Sequence, residues 1–448
     1  DAQLLNEVML LSQSGRPDLA LKKFPANKPL NAELSIARAA ILLSVGNVDE
    51  AETELTNQPS TEKAPAASAM LAVSHASRND AQGALAYAQK ATSAGPNLAL
   101  SYIAQSYAQQ ANLELEAARS SARHATELEP QNAIAWQRLA ELDLIHGDLS
   151  AAAHASDRAL HITPENPDAL TQAGFVALFQ LKLNKAENLL RQSLKQGSNN
   201  PQTRLGLGLT LLRGGHLKAG REQLEYAASL DPTRSVIRSY LGRAYFAEKR
   251  DDKAATQWQL AKQFDANDPT PYFYQGVEKL FANDPLGAIN EIEQAQALNE
   301  NRNVYRSETL LQSDAATKSA ALARAYAETG NDQAVLIKGT DALRQDPTNA
   351  EGHRLLADRY ATLPRHDAAR VSELLQAQLW GPLSAYPLQP QLTETNLAIA
   401  EGLGPERPGL NEYHSLFTQN GGYALLNGFG GSDNSWGDDA VASLLEGP

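Results

Sequence analysis

The chain has 448 residues, which is long enough for two or three ordinary domains or for one extended repeat array. Its 39 lysine and arginine residues against 52 aspartate and glutamate residues give a net charge of −13, and the absence of a basic run argues against a nucleic-acid partner. Because the chain has no cysteine, disulfides, thiol catalysis and cysteine-ligated zinc are excluded.

The N-terminal end gives an expectation about processing. The chain begins with Asp1 rather than methionine, so we expect that an upstream segment has been removed. A cleaved signal peptide fits this expectation, and so does trimming of the sequence. No apolar run approaches the roughly 20 residues that a helix needs to cross a bilayer. These features leave the compartment open.

A regular spacing of prolines runs through the chain. Pro96, Pro130 and Pro164 follow one another at intervals of 34 residues, and Pro232 lies two further intervals on. Each of them follows a stretch rich in alanine or leucine and coincides with a polar break. A fixed period of this size indicates a repeat array.

The clearest repeat covers residues 133–164. Trp136, Leu139, Ala140 and Asp143 follow a spacing of three or four residues, which predicts one face of a first helix. The segment His-Gly-Asp that follows predicts a turn, because its glycine adopts a positive φ at little cost.

A second helix is predicted after this turn. Ala152, Ser156 and Ala159 form its matching face, and Pro164 ends it because proline cannot continue a helix. Small residues at the centres of both faces let the two helix axes approach closely. The same pattern recurs in later repeats, at Leu241, Gly242, Tyr245, Ala254, Trp258 and Ala261, and at Gly276, Ala288, Ile292 and Ala295.

This pattern resembles the tetratricopeptide repeat family over about 380 residues, since the family consensus has Trp, Leu, Gly, Tyr, Ala, Phe, Ala and Pro at these offsets. The resemblance implies an all-α, right-handed superhelix of about eleven helix pairs over residues 1–380. A C-terminal extension follows, and its own sequence pattern predicts a short β-hairpin. The predicted repeats begin near residues 1, 32, 65, 99, 133, 167, 201, 235, 269, 316 and 350.

One interruption breaks the period. Glu300 and Pro347 are 47 residues apart instead of 34, which indicates an insertion of about 13 residues near 302–315. We expect the insertion either to lengthen a helix or to form a loop on one face. An insertion without a role is the alternative.

Signals for chemistry are weak. His154 and His161 are seven residues apart on one predicted helix, about 10.5 Å along its axis, which is too far for one zinc ion to bridge easily. The glycine run at 206–215 lacks the Lys-Ser/Thr of a phosphate-binding loop, so we expect Gly206 and Gly208 to be packing residues of a first helix. The sequence therefore predicts no catalytic residues, no metal and no cofactor.

The resemblance also indicates where a ligand would bind. In the family, the second, fifth, ninth, twelfth and thirteenth positions of each repeat line the inner surface of the superhelix. The residues predicted to line this groove are Tyr107, Gln137, Glu141, Phe175, Phe179, Arg213, Arg243, Phe246 and Phe273. They suit an extended peptide or a partner helix, and a polysaccharide remains open. Packing between adjacent first helices is the alternative role for some of them.

The C-terminal region departs from the repeat pattern. Residues 381–415 are rich in proline and glycine, which predicts a linker with one short helix at 391–401. In residues 416–448, alternation over Tyr423–Phe429 predicts a strand, and Ala440–Leu445 predicts a second after a turn. Because a lone hairpin is marginal in water, we expect it to be the start of a β-barrel or sheet completed elsewhere.

These features lead to a functional hypothesis and two alternatives. The arrangement is similar to outer-membrane proteins in which a periplasmic repeat region precedes a β-barrel, as in export of cellulose and poly-N-acetylglucosamine. We therefore expect a non-enzymatic scaffold in the periplasm or at the outer membrane of a Gram-negative bacterium, acting in assembly or export, with self-association through the tail as an option. A cytosolic protein–protein adaptor with a docked tail is the first alternative, and a repeat arm that regulates a separate enzyme domain is the second.

Overall fold

The computed structural model describes residues 2–13, 16–25, 30–45, 47–57, 64–78, 80–196, 200–298, 311–380, 423–430 and 436–443. These residues form 22 helices and two strands, so eleven consecutive helix pairs are present. They fall into two compact parts, which separate between Leu207 and Gly208.

The first part contains six helix pairs and the beginning of the next first helix. In each pair an odd-numbered first helix is followed by an even-numbered second helix. The helices are α1 (Ala2–Gln13), α2 (Pro17–Lys23), α3 (Ala32–Ser44), α4 (Val48–Thr56), α5 (Pro65–Ser77), α6 (Ala81–Ala94), α7 (Ala99–Ala111), α8 (Leu115–Leu128), α9 (Ala133–His146), α10 (Leu149–Ile162), α11 (Pro167–Phe179) and α12 (Leu183–Lys195).

The second part continues the same alternation. Its first helix, α13, contains the residues at which the two parts separate. The helices are α13 (Pro201–Arg213), α14 (Leu217–Leu230), α15 (Ser235–Ala247), α16 (Asp251–Phe264), α17 (Pro269–Phe281), α18 (Pro285–Ala297), α19 (Leu311–Glu328), α20 (Asp332–Gln345), α21 (Ala350–Tyr360) and α22 (Asp367–Trp380).

The helices begin where polar caps and prolines favour a start. Asn132 accepts hydrogen bonds from the backbone N–H groups of Ile134 and Ala135 at the start of α9. Asp148 does the same for α10, through the N–H of Ala151 at 2.9 Å. Such caps satisfy backbone donors that have no partner within the helix. The predicted starts of the first helices at 32, 65, 99, 133, 167, 201, 235, 269 and 350 are confirmed.

Small residues bring the paired helices together, as the sequence predicted. Ala140, Ala152 and Ala159 are at most 1% exposed and lie where α9 and α10 meet. In the next pair, a methyl group on Gly174 would lie 2.6 Å from the side chain of Leu190. Larger residues at these positions would push the helix axes apart.

The turn within each pair uses a left-handed residue at a fixed place. Gly147 has a φ of 85° and Gly215 a φ of 82°, where glycine pays no steric penalty. The equivalent positions in the other central repeats also have positive φ without being glycine. They are Leu113, Leu181, Lys249 and Asn283, with φ between 59° and 62°. Packing of the paired helices therefore overrides the local preference of these residues.

The region of the insertion differs in part from expectation. Helix α19 begins at Leu311 rather than near 316, and it has 18 residues where most first helices have 13. Part of the extra sequence therefore lengthens a helix at its N-terminal end. Residues 299–310 lie outside the described residues, as do the predicted linker at 381–415 and its helix at 391–401.

The last described element is an antiparallel pair of strands, β1 (Tyr423–Gly430) and β2 (Trp436–Ser443). The second strand begins at Trp436 rather than Ala440, so the predicted turn was too long and the predicted start was wrong. The reason is the register: Tyr423 pairs with Ser443 and Gly430 with Trp436, so eight residues of β1 require eight of β2. Separately, none of the described helices has the length and apolarity needed to span a membrane.

Candidate functional site

The predicted groove residues all lie on first helices, and they divide between the two compact parts. The first part holds Tyr107 on α7, Gln137 and Glu141 on α9, and Phe175 and Phe179 on α11. The second part holds Arg213 on α13, Arg243 and Phe246 on α15, and Phe273 on α17. The two sets differ in chemistry, and each is described by itself.

The first set is organised by a residue that was not among the predictions. The side chain of Arg138 is 1% exposed, and its guanidinium carbon lies 3.7 Å from the centre of the Tyr107 ring. Its Nε donates to the Ser106 hydroxyl at 2.8 Å, and Nη2 donates to the Gln110 side chain at 2.6 Å. A buried guanidinium requires such partners because burial of an unpaired charge is very costly. Arg138 therefore joins α9 to α7 and fixes the ring of Tyr107.

The fourth group held by Arg138 is the predicted residue Glu141. The Nη1 atom of Arg138 donates to Oε2 of Glu141 at 2.7 Å, while the Glu141 side chain remains 42% exposed. Burial raises the pKa of the half-buried Tyr107 hydroxyl, and the negative charge of Glu141 raises it further. Gln137, one turn before Glu141 on α9, is also half-buried. The structure thus brings Tyr107, Gln137 and Glu141 to one face.

A second carboxylate lies on the same face. Asp168, at the start of α11, is exposed, and its charge also raises the pKa of Tyr107. The pKa of Asp168 is raised because the surrounding protein desolvates its carboxylate. The Nδ2 atom of Asn200 lies 3.4 Å from its Oδ1, and no described residue forms an ion pair with Asp168.

Two side-chain amides near these carboxylates lack hydrogen-bond partners. The Nε2 atom of Gln172 and the Oε1 atom of Gln202 are enclosed and bond to no other atom of the structure. Gln172 is one turn after Asp168 on α11, and the backbone N–H of Gln202 donates to Asn200 at 2.8 Å. Enclosed amide groups normally have partners, since each missing hydrogen bond costs about 1–3 kcal/mol.

The two phenylalanines of the first part are less available than the sequence suggested. Phe175 is 9% exposed, and a methyl group on Gly206 of α13 would lie 3.0 Å from its ring. Phe175 therefore packs between adjacent first helices, which is the alternative role given above for this set. Phe179 is half-buried. Gly206 is a packing residue of a first helix, as predicted.

The second set is aromatic and cationic. Phe246 is 4% exposed, its ring lies 5.8 Å from that of Phe281, and the Arg243 guanidinium lies 5.9 Å from its centre. Phe273 is 1% exposed and therefore belongs to the core. Burial lowers the pKa of the half-buried Arg213 guanidinium. Phe281, which lies outside this set but beside Phe246, offers more apolar surface than either phenylalanine of the set, at 43% exposed.

A recess of about 680 Å³ lies on α8, α9 and α10. Trp136 and His154 meet in it edge to face, with ring centres 6.1 Å apart. At one end, Arg119 donates from Nε to Asp143 at 2.5 Å and from Nη2 to Asp148 at 3.2 Å. Burial raises the pKa of Asp143, whereas the hydrogen bond from the Ala151 N–H lowers that of Asp148.

The histidines do not gather in the described part of the chain. His154 packs against Trp136, and among residues that the structure describes no three His, Asp or Glu side chains are placed to hold a metal ion. The absence of a metal or cofactor stays a prediction.

Comparison with known proteins identifies the repeat. Residues 205–269 match the model of the family described as tetratricopeptide repeat, and the repeats of this chain are of that type. No curated protein sequence matches the chain. Among solved structures, 326 chains match, so the fold is too widely used to indicate a ligand by itself.

The structural similarities show the fold and no more. A monomeric mutant of IFIT1 with Gppp-AAAA is 14% identical, with a TM-score of 0.51 over 83% of this chain and 88% of that one. Yeast Tom70 is 12% identical, with a TM-score of 0.43 over 78% of this chain and 92% of that one. The Cut9–Hcn1 hetero-tetramer of APC/C is 13% identical, with a TM-score of 0.43 over 85% of this chain and 93% of that one.

Proposed function

We propose that this chain, an array of tetratricopeptide repeats, is a non-enzymatic scaffold that binds an extended segment of a partner protein along its first helices. The fold is typical of protein–protein interaction and is generally non-catalytic. The observation that carries the proposal is the arrangement of Tyr107, Arg138 and Glu141. A buried arginine with four hydrogen bonds holds an aromatic ring and a half-exposed carboxylate in place before any partner arrives.

This arrangement has the properties of a binding surface rather than of a reaction centre. Arg138 is enclosed and makes four hydrogen bonds within the protein, so its guanidinium is engaged in holding its neighbours. Glu141 is bound to it and half-exposed, while the neighbouring Ser106 hydroxyl is buried and bonds to Arg138 and to the Ile103 carbonyl. Preorganisation of this kind lowers the entropy lost on association and so raises affinity.

An acidic partner surface and nucleic acid fit poorly. The chain carries a net charge of −13, Glu141 of the first set is half-exposed, and Asp168 at the start of α11 is exposed. Phosphate groups would be repelled there, because nucleic-acid sites depend on clustered lysine and arginine. The Gppp-AAAA named for the IFIT1 structure is therefore a poor match to this face.

A cross-linking experiment in cells tests the proposal. A photoreactive amino acid replaces Gln137, which is half-buried on the face of Tyr107 and Glu141. The control position is Asp157 on α10, whose side chain is 67% exposed. We expect a specific protein adduct from position 137 that is absent from position 157. The same adducts from both positions, or none from 137, would contradict a binding surface on the first helices.

We also place this scaffold in the bacterial envelope, at the outer membrane, in assembly or export. The supporting feature is the pair β1 and β2, in which each described strand has only the other beside it. The outer edge of each strand therefore retains backbone donors and acceptors that favour addition of a further strand. A strand of an envelope protein or of a second copy would satisfy them.

Deletion of residues 416–448 tests this placement. Light scattering and membrane fractionation compare the full chain with the shortened one. The envelope proposal predicts that the deletion lowers self-assembly or membrane association. If neither changes and the protein fractionates with the cytosol, the cytosolic adaptor replaces it.

A further inference from the structure

The last second helix, α22, carries a ridge of exposed apolar side chains. Val371, Leu375 and Leu379 are 37%, 47% and 68% exposed, and they follow one another at intervals of four residues. Residues at this spacing lie on one face of a helix, so the three side chains form a single ridge about two turns long. None of the residues that the structure describes buries this ridge. Exposed apolar patches of this kind mark interaction surfaces.

The repeats provide an internal comparison for the ridge. Ser156 of α10 and Leu374 of α22 are both buried, and each is followed three residues later by a buried alanine. They therefore occupy the same position of their helices, and the next residue is outward-facing Asp157 in α10 and Leu375 in α22. In the six second helices from α8 to α18 the residues at this outward position are Arg123, Asp157, Arg191, Glu225, Gln259 and Glu293. Thus α22 has a leucine where these six helices have a polar side chain.

The ridge and the exposed residues beside it are uncharged. Ala368 and Ser372 flank the three apolar side chains and are exposed, whereas Glu373 is directed to α21, where it pairs with His353. The equivalent face of α10 contains Asp157, whose side chain is 67% exposed. A residue on a two-fold axis meets its own copy, and two like charges repel each other there. The face of α10 therefore opposes contact with its own copy, and the ridge of α22 does not.

The ridge is also symmetric along the helix. Leu375 lies at its centre, with Val371 four residues before it and Leu379 four residues after it. Antiparallel pairing of two α22 helices about a two-fold axis places Leu375 against its own copy and Val371 against the partner's Leu379. Ridges of this spacing interdigitate at a crossing angle of about −50°, the commonest packing of helices in globular proteins. A second copy of the chain therefore supplies the complementary ridge.

We propose that α22 is a self-association surface on which two copies of this chain pair in antiparallel orientation, with Leu375 on the two-fold axis. Such pairing is independent of the tail and adds a dimeric state to the proposed scaffold. The contact covers one face of a 14-residue helix in each copy, which is less than the roughly 800 Å² per partner of a standard interface. We therefore expect a dimer that dissociates at micromolar concentrations rather than a permanent one.

Single cysteines test the pairing, because the chain has none of its own. Leu375→Cys, Val371→Cys and the control Asp157→Cys are each introduced into the purified full chain, which is oxidised mildly and run on non-reducing gels. A disulfide needs Cα atoms within about 7 Å, which position 375 meets on the axis, whereas the two copies of position 371 lie about 12 Å apart along the helices. We expect about tenfold more disulfide-linked dimer from Leu375→Cys than from either other variant.

A measurement in solution tests the ridge without a cross-link. Sedimentation velocity over a micromolar concentration series compares the full chain with Leu375→Gln/Leu379→Gln and with the control Asp157→Asn on α10. The double variant should weaken the dimer about tenfold, because it places polar groups in an apolar contact, while the control should leave it unchanged. All three positions are exposed, so thermal melting by circular dichroism should be the same for each protein.

The other outcomes would overturn the proposal. Equal cross-linking from positions 371 and 375 would mean that the copies do not pair in antiparallel orientation about Leu375. A full chain that stays monomeric and forms no dimer from Leu375→Cys would mean that something other than a second copy covers the ridge. Loss of the position 375 cross-link on deletion of residues 416–448 would assign self-association to the tail. None of these results affects the scaffold function, which the cross-link from position 137 tests separately.

Discussion

A methyl group placed on Gly242 of α15 would lie 2.4 Å from the indole nitrogen of Trp258 on α16. Trp258 is fully buried, and its indole N–H donates to the Ser239 carbonyl at 3.1 Å. This contact between a glycine and a tryptophan joins the two helices of one repeat. It explains why the consensus glycine of the repeat is needed here for space rather than for a turn.

The first prediction follows from this contact. Gly242→Ala should destabilise the second part of the chain by about 1–2 kcal/mol, because the overpacking penalty exceeds the roughly 1 kcal/mol that alanine gains in a helix. Urea denaturation followed by circular dichroism measures the change. Gly214→Ala is the control, since atoms near its added methyl group lie at 3.4 Å or more. A destabilised control, or a stabilised Gly242→Ala, would contradict the account.

The second prediction concerns Arg138. Arg138→Met should lower the free energy of unfolding by about 3 kcal/mol, because it leaves buried acceptors without their donor. It should also free the ring of Tyr107, which fluorescence anisotropy detects as faster motion. The control is Arg191→Met, whose side chain is 53% exposed and pairs with Glu187, and which should change stability by less than about 0.5 kcal/mol.

The third prediction is a pH dependence of opposite sign at two carboxylates that share Arg119. The folded-state pKa of Asp143 lies above its usual 3.8, so its ionised form is disfavoured in the fold. The free energy of unfolding of the wild type, compared with that of Asp143→Asn, should therefore fall as the pH rises from 3.8 through the folded-state pKa of Asp143. The folded-state pKa of Asp148 lies below 3.8, so stability relative to Asp148→Asn should be full above 3.8 and lost on acidification. Urea midpoints between pH 2.5 and about 7 measure both trends, and two trends of the same sign would refute the assignment.

The fourth prediction separates packing from surface among the phenylalanines. Phe175→Ala should cost about 3 kcal/mol or more, because the ring is 9% exposed and fills the space beside Gly206. Phe281→Ala should cost less than about 1 kcal/mol, because 43% of its surface is already in water. Thermal or urea denaturation of the two variants measures both losses of stability. Comparable losses would mean that exposure in the free chain does not distinguish their roles.

The sequence was sufficient for the arrangement of the helices. A 34-residue period, together with alanine and glycine at the helix contacts, located most of the first helices to the residue. The reason is that each repeat contacts mainly its neighbours, so local spacing determines the packing. The extra turns of α19 and the true start of β2 were missed, since both depend on contacts or pairing that no periodicity records.

The site was less predictable, for physical reasons. The ligand-facing positions of the repeat family predicted Tyr107 and Glu141 as groove residues. They did not predict Arg138, because the burial of Arg138 depends on Ser106 and Gln110 of another helix. The one available signal was a charged residue within the apolar stretch of α9. The left-handed turns at Leu181 and Lys249 gave no signal at all, since the packed helices impose that conformation on residues that do not prefer it.

The central claim is that a polypeptide segment binds along the first helices at α9. The most direct measurement irradiates the purified full chain, carrying a photoreactive amino acid at Gln137 or at Asp157, in the presence of a labelled nine-residue peptide pool of mixed sequence, and counts adducts by mass spectrometry. The account predicts a peptide adduct at position 137 that is absent at 157 and is suppressed by excess unlabelled pool. Equal adducts at the two positions, or none at 137, would contradict it.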